Sequence, residues 1–412
     1  MSYAEKRTVL LLEKAIYQGA HFDVAEEKES PAKIKAWGLG VLRGFFFYEY
    51  CCQVLLKRGT DRAIQVYLMM AMFRLDDRPQ ESALLTNTLV ESAKKMHISG
   101  SLVNAVLRQF LMKRQDLDVK ARGRATIQYN MRSSLLDRLK NQQDGWREIV
   151  RYMQKRPQIV LRVNKEKAEE ETFFKALRDA RIEFINDGRM VVIKEGGGIR
   201  EIPGYAEGWF TVVSESNQKL LSLLPSMNAP KVLDACAAPG GKSFLLREKY
   251  GRKATILSTD IDPKRIALLE ENNKRLGLNL HISQRDWSKE AQEGVFDLIW
   301  ADVPCSATGV ISKHPEVAVY ERDDMQNIAL QQNILKRLWQ SVAPGGHLVY
   351  TTCSILEEEN SGQIQEFLRE NLDASVAHEE EGTLLTSSFG VYMTGDNSRD
   401  IIYVCKIKKT DR

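Results

Sequence analysis

Lys231-Val-Leu-Asp234-Ala-Cys236-Ala237-Ala238-Pro239-Gly240-Gly241-Lys242-Ser243 reads as a buried strand, a glycine-containing turn and the start of a helix. Glycine carries no Cβ, so a ligand can approach the backbone there, and the first amides of the helix lie beside it. Gly241-Lys242-Ser243 ends as a P-loop does, but that motif needs a further glycine five positions before Gly241, where Cys236 stands. The Gly-x-Gly-x-x-Gly spacing of a nicotinamide dehydrogenase is absent too. About 17 residues past Ser243 a second strand ends at Thr259-Asp260-Ile261-Asp262-Pro263, which places a carboxylate where doubly wound folds grip a ribose diol. An adenosine cofactor without a triphosphate is what remains, and S-adenosylmethionine is the candidate. A third strand leads to Asp286, which the same strand-end logic puts near the adenine.

Outward from this loop, apolar runs alternate with helical stretches after Ser214: 231–235, 241–250, 254–260, 263–276, 280–284, 296–302, 324–343 and 346–352. Such alternation predicts a mostly parallel sheet with helices on both faces, a Rossmann-like α/β domain over 214–412. Two of the runs stop at cysteines. Phe296-Asp-Leu-Ile-Trp-Ala301 gives way to Asp302-Val-Pro304-Cys305, where a proline cannot continue a central strand. Gly346-His-Leu-Val-Tyr-Thr-Thr352 ends at Cys353-Ser354, and Glu357 to Glu359 then open a helix. Ligands of open α/β sheets bind outside the carboxyl ends of the strands, so neighbouring parallel strands would present both thiols to one crevice.

With 412 residues, 43% hydrophobic, the chain exceeds the size of one core and predicts two or three domains. Residues 1–118 show helical periodicity, with Val9, Leu12, Ala15 and Ile16 on one face and similar faces over 31–57, 62–75, 80–96 and 99–113. An all-α bundle is expected there, with Phe45-Phe-Phe-Tyr48 in its core because successive aromatics point all round a helix. A basic connector follows over 119–157, bearing Lys120, Arg122, Arg124, Arg132, Arg138 and Lys140. Short strands at Ile159–Val163, Ile182–Ile185, Met190–Ile193 and Trp209–Val213, with a helix over 166–180 and breaks at Asp187-Gly188 and Gly196-Gly197-Gly198, predict a small α+β module over 158–213.

The net charge of +4 is unevenly spread: residues 1–150 hold about 24 Lys and Arg against about 17 Asp and Glu, an excess suited to phosphate backbones. Six cysteines include no Cys-x-x-Cys pair and no zinc spacing, so neither a disulfide framework nor a metal is expected. No apolar run approaches a membrane span and the N-terminal stretch is charged and amphipathic, so a cytoplasmic protein, taken to be monomeric, is the expectation.

Asp234-Ala-Cys-Ala-Ala-Pro-Gly-Gly-Lys-Ser243, Asp302-Val-Pro-Cys-Ser-Ala-Thr-Gly309 with His314-Pro315, and Thr352-Cys353-Ser354 with Glu358-Glu359-Asn360 resemble the signature motifs of the RNA 5-methylcytosine methyltransferases, nearest to their bacterial small-subunit rRNA branch. Gly40-Val-Leu-Arg43-Gly44 and Leu102-Val-Asn-Ala-Val-Leu-Arg108 resemble the NusB-like N-terminal domain of that branch, and Leu161-Arg-Val-Asn164 and Pro203-Gly-Tyr-Ala-Glu-Gly-Trp209 its middle segment. Val213-Ser214 stands where the family usually has Gln-Asp, and Asp400-Ile-Ile-Tyr403 where it has Asp-Gly-Phe-Phe.

The resemblance implies methylation of cytosine C5 in small-subunit rRNA, with S-adenosylmethionine held by Cys236, Ala237, Ala238, Pro239, Gly240, Gly241, Lys242, Asp260, Asp286 and Asp302. It implies that Cys353 adds to C6 of the base and Cys305 helps release the product, with Cys305 as nucleophile the runner-up; Asp302 is expected at the N3/N4 edge, and Lys242 to lower a nearby thiol's pKa or orient the base. C5 of cytosine is a poor nucleophile until a thiolate adds at C6, so covalent catalysis is the chemistry such a pair would serve. A tRNA substrate, a non-catalytic RNA-binding assembly factor and a P-loop ATPase are the competing readings, and the missing glycine at Cys236 weighs against the last.

Overall fold

The computed structural model describes residues 3–57, 59–188, 190–195, 198–321, 324–376, 385 and 387–411, so the Gly196-Gly197 part of the expected glycine break lies outside the described residues. The chain forms two compact units, Met1–Asn141 with His314–Arg322, and Gln142–Lys313 with Asp323–Arg412.

The first unit is helical. Its longer helices are Tyr3–Gln18, Pro31–Arg43, Phe45–Leu55, Arg62–Asp77, Ser82–Lys95 and Gly100–Met112. Asp61 and Ser99 cap two of them by accepting amides of Ala63 and Leu102, and Pro31 begins a third where its missing N–H costs nothing. Leu12, Ile34, Leu42, Leu68, Leu107 and Phe110 are among the residues that close its core. Phe45 and Tyr48 are buried in that core, and Phe46 and Phe47 pack against it. A Cβ on Gly40 would lie 2.0 Å from the Phe73 ring, so the glycine lets the helices Pro31–Arg43 and Arg62–Asp77 close on each other. The basic stretch, for which the sequence predicts a connector with some helical character, carries helices at Arg114–Ala121, Ala125–Gln128, Ser133–Gln142 and Trp146–Gln154.

The second unit, which takes in the helix Trp146–Gln154, continues with an antiparallel sheet made of β1 (Ile159–Val163), β2 (Glu183–Asp187), β3 (Met190–Glu195) and β4 (Phe210–Val212), in the order β2-β3-β1-β4. The helix Glu170–Asp179 covers it through Phe173, Phe174 and Leu177. This helix starts later than its periodicity predicts, because Asn164 turns the chain first: its side chain accepts the Glu166 amide and donates to the carbonyls of Gly208 and Leu276.

The larger sheet contains β5 (Lys231–Asp234), β6 (Thr255–Asp260), β7 (His281–Gln284), β8 (Phe296–Asp302), β9 (Val342–Thr352), β10 (Ala374–Val376), β11 (Val391–Thr394) and β12 (Ile401–Lys409). Its order is β10-β12-β9-β8-β5-β6-β7, with β11 on β12. The run β9-β8-β5-β6-β7 is parallel, as the alternating pattern predicts. Sequence reading assigned no strand beyond Thr352, yet β12 pairs antiparallel with β9 and seals that flank. β9 also starts before the expected residue 346: Phe296 pairs with Val342 and Leu298 with His347, and the proline and glycines between them bulge out. The helix expected at Glu357 is a single 3-10 turn over Glu357–Glu359, and the α-helix begins at Ser361.

Pro203–Trp209 wraps onto the helix Pro263–Leu276 at Gly208, whose φ is +76° and whose added Cβ would lie 2.1 Å from the Arg275 carbonyl oxygen. Gly208→Ala is expected to cost roughly 2 kcal/mol or more, from left-handed strain and displaced backbone together. A thermal melt of the variant checks this, and an unchanged midpoint would contradict the close approach.

Candidate active site

β8 and β9 run parallel in a register that sets Asp302 beside Thr351, so the chain leaves both strands at the same edge of the sheet. Cys305 and Cys353 lie just past those ends, and their Sγ atoms are 3.3 Å apart. Two thiols separated by 48 residues in sequence are thus brought together by strand pairing.

The loops that carry them are locked by polar contacts. Gly309 donates its amide to the Cys353 carbonyl at 2.7 Å, and a Cβ there would lie 2.3 Å from the Ile401 carbonyl oxygen. Glu359, with no exposed surface, accepts the Ser306 amide at 2.9 Å and hydroxyl at 2.5 Å, and the Gln331 amide at 3.1 Å. Gln331 also donates to the Pro304 carbonyl, next to Cys305. Asn360 accepts the Thr352 hydroxyl and donates to the Ser354 carbonyl, which holds the chain on either side of Cys353. The sequence marks Glu359 as part of a helix start and of the Glu358-Glu359-Asn360 motif but gives it no role; its inward turn explains why the α-helix is delayed. Gln331 was missed altogether, because nothing in its helix marks it from the other polar residues there.

Lys242 is half-buried and donates to Asp302 Oδ2 at 2.8 Å. Asp302 Oδ1 accepts the Thr351 hydroxyl at 3.0 Å, and that hydroxyl in turn accepts the indole N–H of Trp300. Burial works against the charge on Lys242, but the carboxylates of Asp302 and Asp234 and the nearby Cys353 outweigh it and raise its pKa, so the ammonium persists. Cys305 is held in its thiol form by its hydrogen bond with Cys353 and by burial, which together push its pKa well above the usual range.

The glycine loop follows β5. Gly240 takes φ +109° and caps the helix Gly241–Tyr250, whose first-turn amides have no partner within the helix. Ala237 donates to the Thr259 carbonyl, and Arg265 and Asn272 hold the carbonyls of Ala238 and Pro239. Cys236 lies within this loop, and burial together with Asp302, Asp260 and Asp234 drives its thiol pKa far up. It is an inert wall rather than a nucleophile.

Asp260 ends β6 with 2% of its surface exposed. Its Oδ2 sits 3.3 Å from Arg265 but makes no hydrogen bond. Asp234 Oδ1 is likewise buried and unpartnered, while Oδ2 takes the Ser243 hydroxyl at 2.6 Å. Open carboxylate acceptors around a glycine turn fit a ligand that carries a ribose diol and positive charge, as S-adenosylmethionine does. Asp286 ends up just after β7 as expected, but Ser288 and Lys289 engage its carboxylate at 2.5 and 2.7 Å, and their hydrogen bonds lower its pKa. All the sequence-selected residues therefore lie at the carboxyl edge of the parallel strands; Asp286 is the one whose carboxylate is already occupied by its own turn.

The two departures noted in the sequence fall at the flank of this site. Asp400 is buried, accepts hydroxyls of Ser216 and Ser398, and pairs with Lys313 at 3.3 Å. Burial opposes its charge, but Lys313 and the hydroxyls keep its pKa low. It anchors the segment that follows Cys305 to the start of β12.

A family model described as 16S rRNA methyltransferase RsmB/F matches residues 221–408. Ribosomal RNA small subunit methyltransferase B of Salmonella arizonae is 35% identical over 359 residues, 84% of this chain and 82% of the relative. The protein of the same name from Erwinia tasmaniensis is 33% identical over 389 residues, 90% and 89% of the two chains. Among solved structures, PH0851 superposes with a TM-score of 0.75 at 22% identity, covering 99% of this chain and all of its own. NSun6 from Pyrococcus horikoshii superposes at 0.58 and 16% identity over 68% of this chain and 99% of its own. These structures share the fold.

Asp234 is fully buried, and burial pushes its pKa up to about 7 despite the Ser243 hydrogen bond. A raised carboxyl pKa means the folded state holds a proton that the unfolded state has lost. Its stabilising contribution is complete below the unfolded value of 3.8 and disappears as pH rises towards about 7. Between those limits the wild type is expected to lose up to about 1.4 kcal/mol per pH unit relative to Asp234→Asn. Denaturant titrations of both proteins across pH 4 to 8 measure the difference; parallel stability profiles would refute the assignment.

Proposed function

The chain belongs to the 16S rRNA methyltransferase RsmB/F family, and from that premise we propose that it methylates C5 of a cytosine in small-subunit rRNA, with Cys353 forming a covalent bond to C6 of the base. S-adenosylmethionine is its cofactor, and when bound it supplies an electrophilic methyl group. The pair of sulfurs 3.3 Å apart, beside a half-buried lysine and a strand-end carboxylate, is the observation that carries the reading.

The contact with Cys353 and burial raise the Cys305 pKa, so in this reading Cys305 keeps its proton and Cys353 is the sulfur that attacks. Its electron pair forms the S–C6 bond, and the electrons of the C5–C6 double bond move to C5, which is then nucleophilic. Lys242 places positive charge beside the reacting sulfur and fixes Asp302. Asp302, steadied by Thr351 on its other oxygen, meets the N3/N4 edge of the cytosine, where a hydrogen bond stabilises the enamine that forms. After C5 is alkylated its hydrogen leaves as a proton to a water molecule that enters the crevice as base. The electrons of that C–H bond restore the double bond and expel the Cys353 thiolate. Cys305 lies against that sulfur and assists this last stage.

A cytosine stacked in a duplex is out of reach of two thiols in a crevice, so the substrate presents the base from a loop or opened segment. The excess of basic residues in 1–150 and the NusB-like reading of the helical unit support it as the RNA-holding part. The small antiparallel sheet is a second RNA contact in this reading. Signature motifs at the thiols and the cofactor loop favour a working enzyme over a non-catalytic assembly factor.

Incubating the protein with methyl-labelled S-adenosylmethionine and small-subunit rRNA is expected to label cytosine; label on adenine, or on tRNA in preference, would overturn the substrate. Cys305→Ala is expected to accumulate an RNA–protein adduct that survives denaturing electrophoresis, whereas Cys353→Ala forms none and loses at least about 10³-fold in turnover. The reverse pattern would exchange the roles of the two cysteines.

A further inference from the structure

We propose that His21, His314 and Glu316 form a binding site for a divalent transition-metal ion of the zinc class, within the helical unit and separate from the thiol centre. Their ligand atoms all lie within 4.8 Å of one another. His21 Nδ1 and His314 Nδ1 each lie 3.3 Å from Glu316 Oε1. Metal–donor bonds of about 2.0–2.2 Å in a tetrahedral arrangement put donors roughly 3.3–3.5 Å apart, so both measured edges already have the required length.

A second observation points to a ligand. The Glu316 side chain is 1% exposed, yet its Oε2 has no hydrogen-bond partner among the described residues. A buried carboxylate oxygen without a donor is costly, and a cation would satisfy it. Oε1 also takes the Phe22 amide at 3.3 Å, which orients the carboxylate from behind. The two imidazoles are 58% and 46% exposed, so an ion has a route from solvent and room for a water as fourth ligand. Two imidazoles and one carboxylate form a recognised zinc donor set, and imidazole suits the later first-row ions.

The ring planes meet edge to face at 70°, with centroids 5.6 Å apart, and do not stack over the nitrogens. His21 follows the first helix, and His314 begins the segment His314–Arg322 that joins the same unit. Arg132 already holds that segment through the carbonyls of Val317 and Ala318, and the ion would add a cross-link from it to His21, past the end of the first helix. No sequence spacing advertises the site, because its ligands come from opposite ends of the chain.

Tag-free, full-length protein freed of metal with a chelator and titrated with zinc chloride by calorimetry is expected to bind one equivalent at this site. His21→Ala, at an exposed position that leaves the core intact, is expected to weaken that equivalent at least about tenfold, as is Glu316→Gln. His281→Ala, on β7, is expected to leave it unchanged. Cobalt(II) in place of zinc is expected to give the visible bands of a four-coordinate centre, lost in His21→Ala. Absence of a bound equivalent in the wild type would overturn the proposal. So would an equivalent that survives His21→Ala but vanishes on Cys305→Ala, since that places the ion at the thiols.

Discussion

The parallel pairing of β8 with β9 is the constraint on which the reactive centre depends. The register that sets Trp300 beside Val349, Ala301 beside Tyr350 and Asp302 beside Thr351 fixes where each strand ends, and each cysteine lies a few residues past an end. A slip by one residue would turn the Trp300 and Val349 side chains out of the core and separate the two loops. Thr351 makes the register chemical as well as geometric, because it joins the Trp300 indole to the Asp302 carboxylate. The sheet thereby sets the distance between the thiols, and Lys242 reaches the same carboxylate from the neighbouring strand β5 and its turn.

Buried charge does the finer positioning. Glu359 sits under the Cys305 loop with three donors on its two oxygens, and Asn360 beside it holds the chain around Cys353. A carboxylate without solvent tolerates few arrangements, since any donor lost leaves charge unpaired in a low-dielectric interior. Such a network contributes little net stability, yet it excludes alternative loop conformations, which a two-sulfur centre requires. Asp400 plays the matching part on the other side, between Lys313 and the hydroxyls of Ser216 and Ser398.

Much of this was legible from residues. The Asp234–Ser243 stretch and the alternation after Ser214 gave the parallel sheet, and the ends of two apolar runs gave the converging thiols. Those features are local: a strand end, a proline, a glycine turn. What escaped reading is what depends on partners remote in sequence. β12 carries the apolar run Ile401-Ile-Tyr-Val-Cys405, but only its pairing with β9 places it in this sheet. The expected helix start at Glu357 failed because a local propensity for acidic residues was overridden by the demand of Ser306 for a buried acceptor. Asp286 looked like a free strand-end carboxylate, and Ser288 and Lys289, within three residues of it, claimed both oxygens. Gln331 and the grouping of His21 with Glu316 carry no sequence signal at all.

The connection between β8 and the helix Asp324–Ser341 gathers these threads. It carries Cys305, is pinned to the Cys353 backbone at Gly309, is tied at Ser312 and Lys313 to the start of β12, and then enters the helical unit at His314. Loops of this length are usually tolerated because they are free to vary. Here nearly every residue between Pro304 and Val317 has a backbone or side-chain partner, and the residue types follow those partners: glycine where two carbonyls crowd in, hydroxyls where a buried carboxylate needs donors, and a carboxylate where two imidazoles meet. A segment that joined the two units merely as a tether would need none of this. The composition of the Pro304–Val317 segment is therefore set by the partners it must satisfy and not by the distance it has to span.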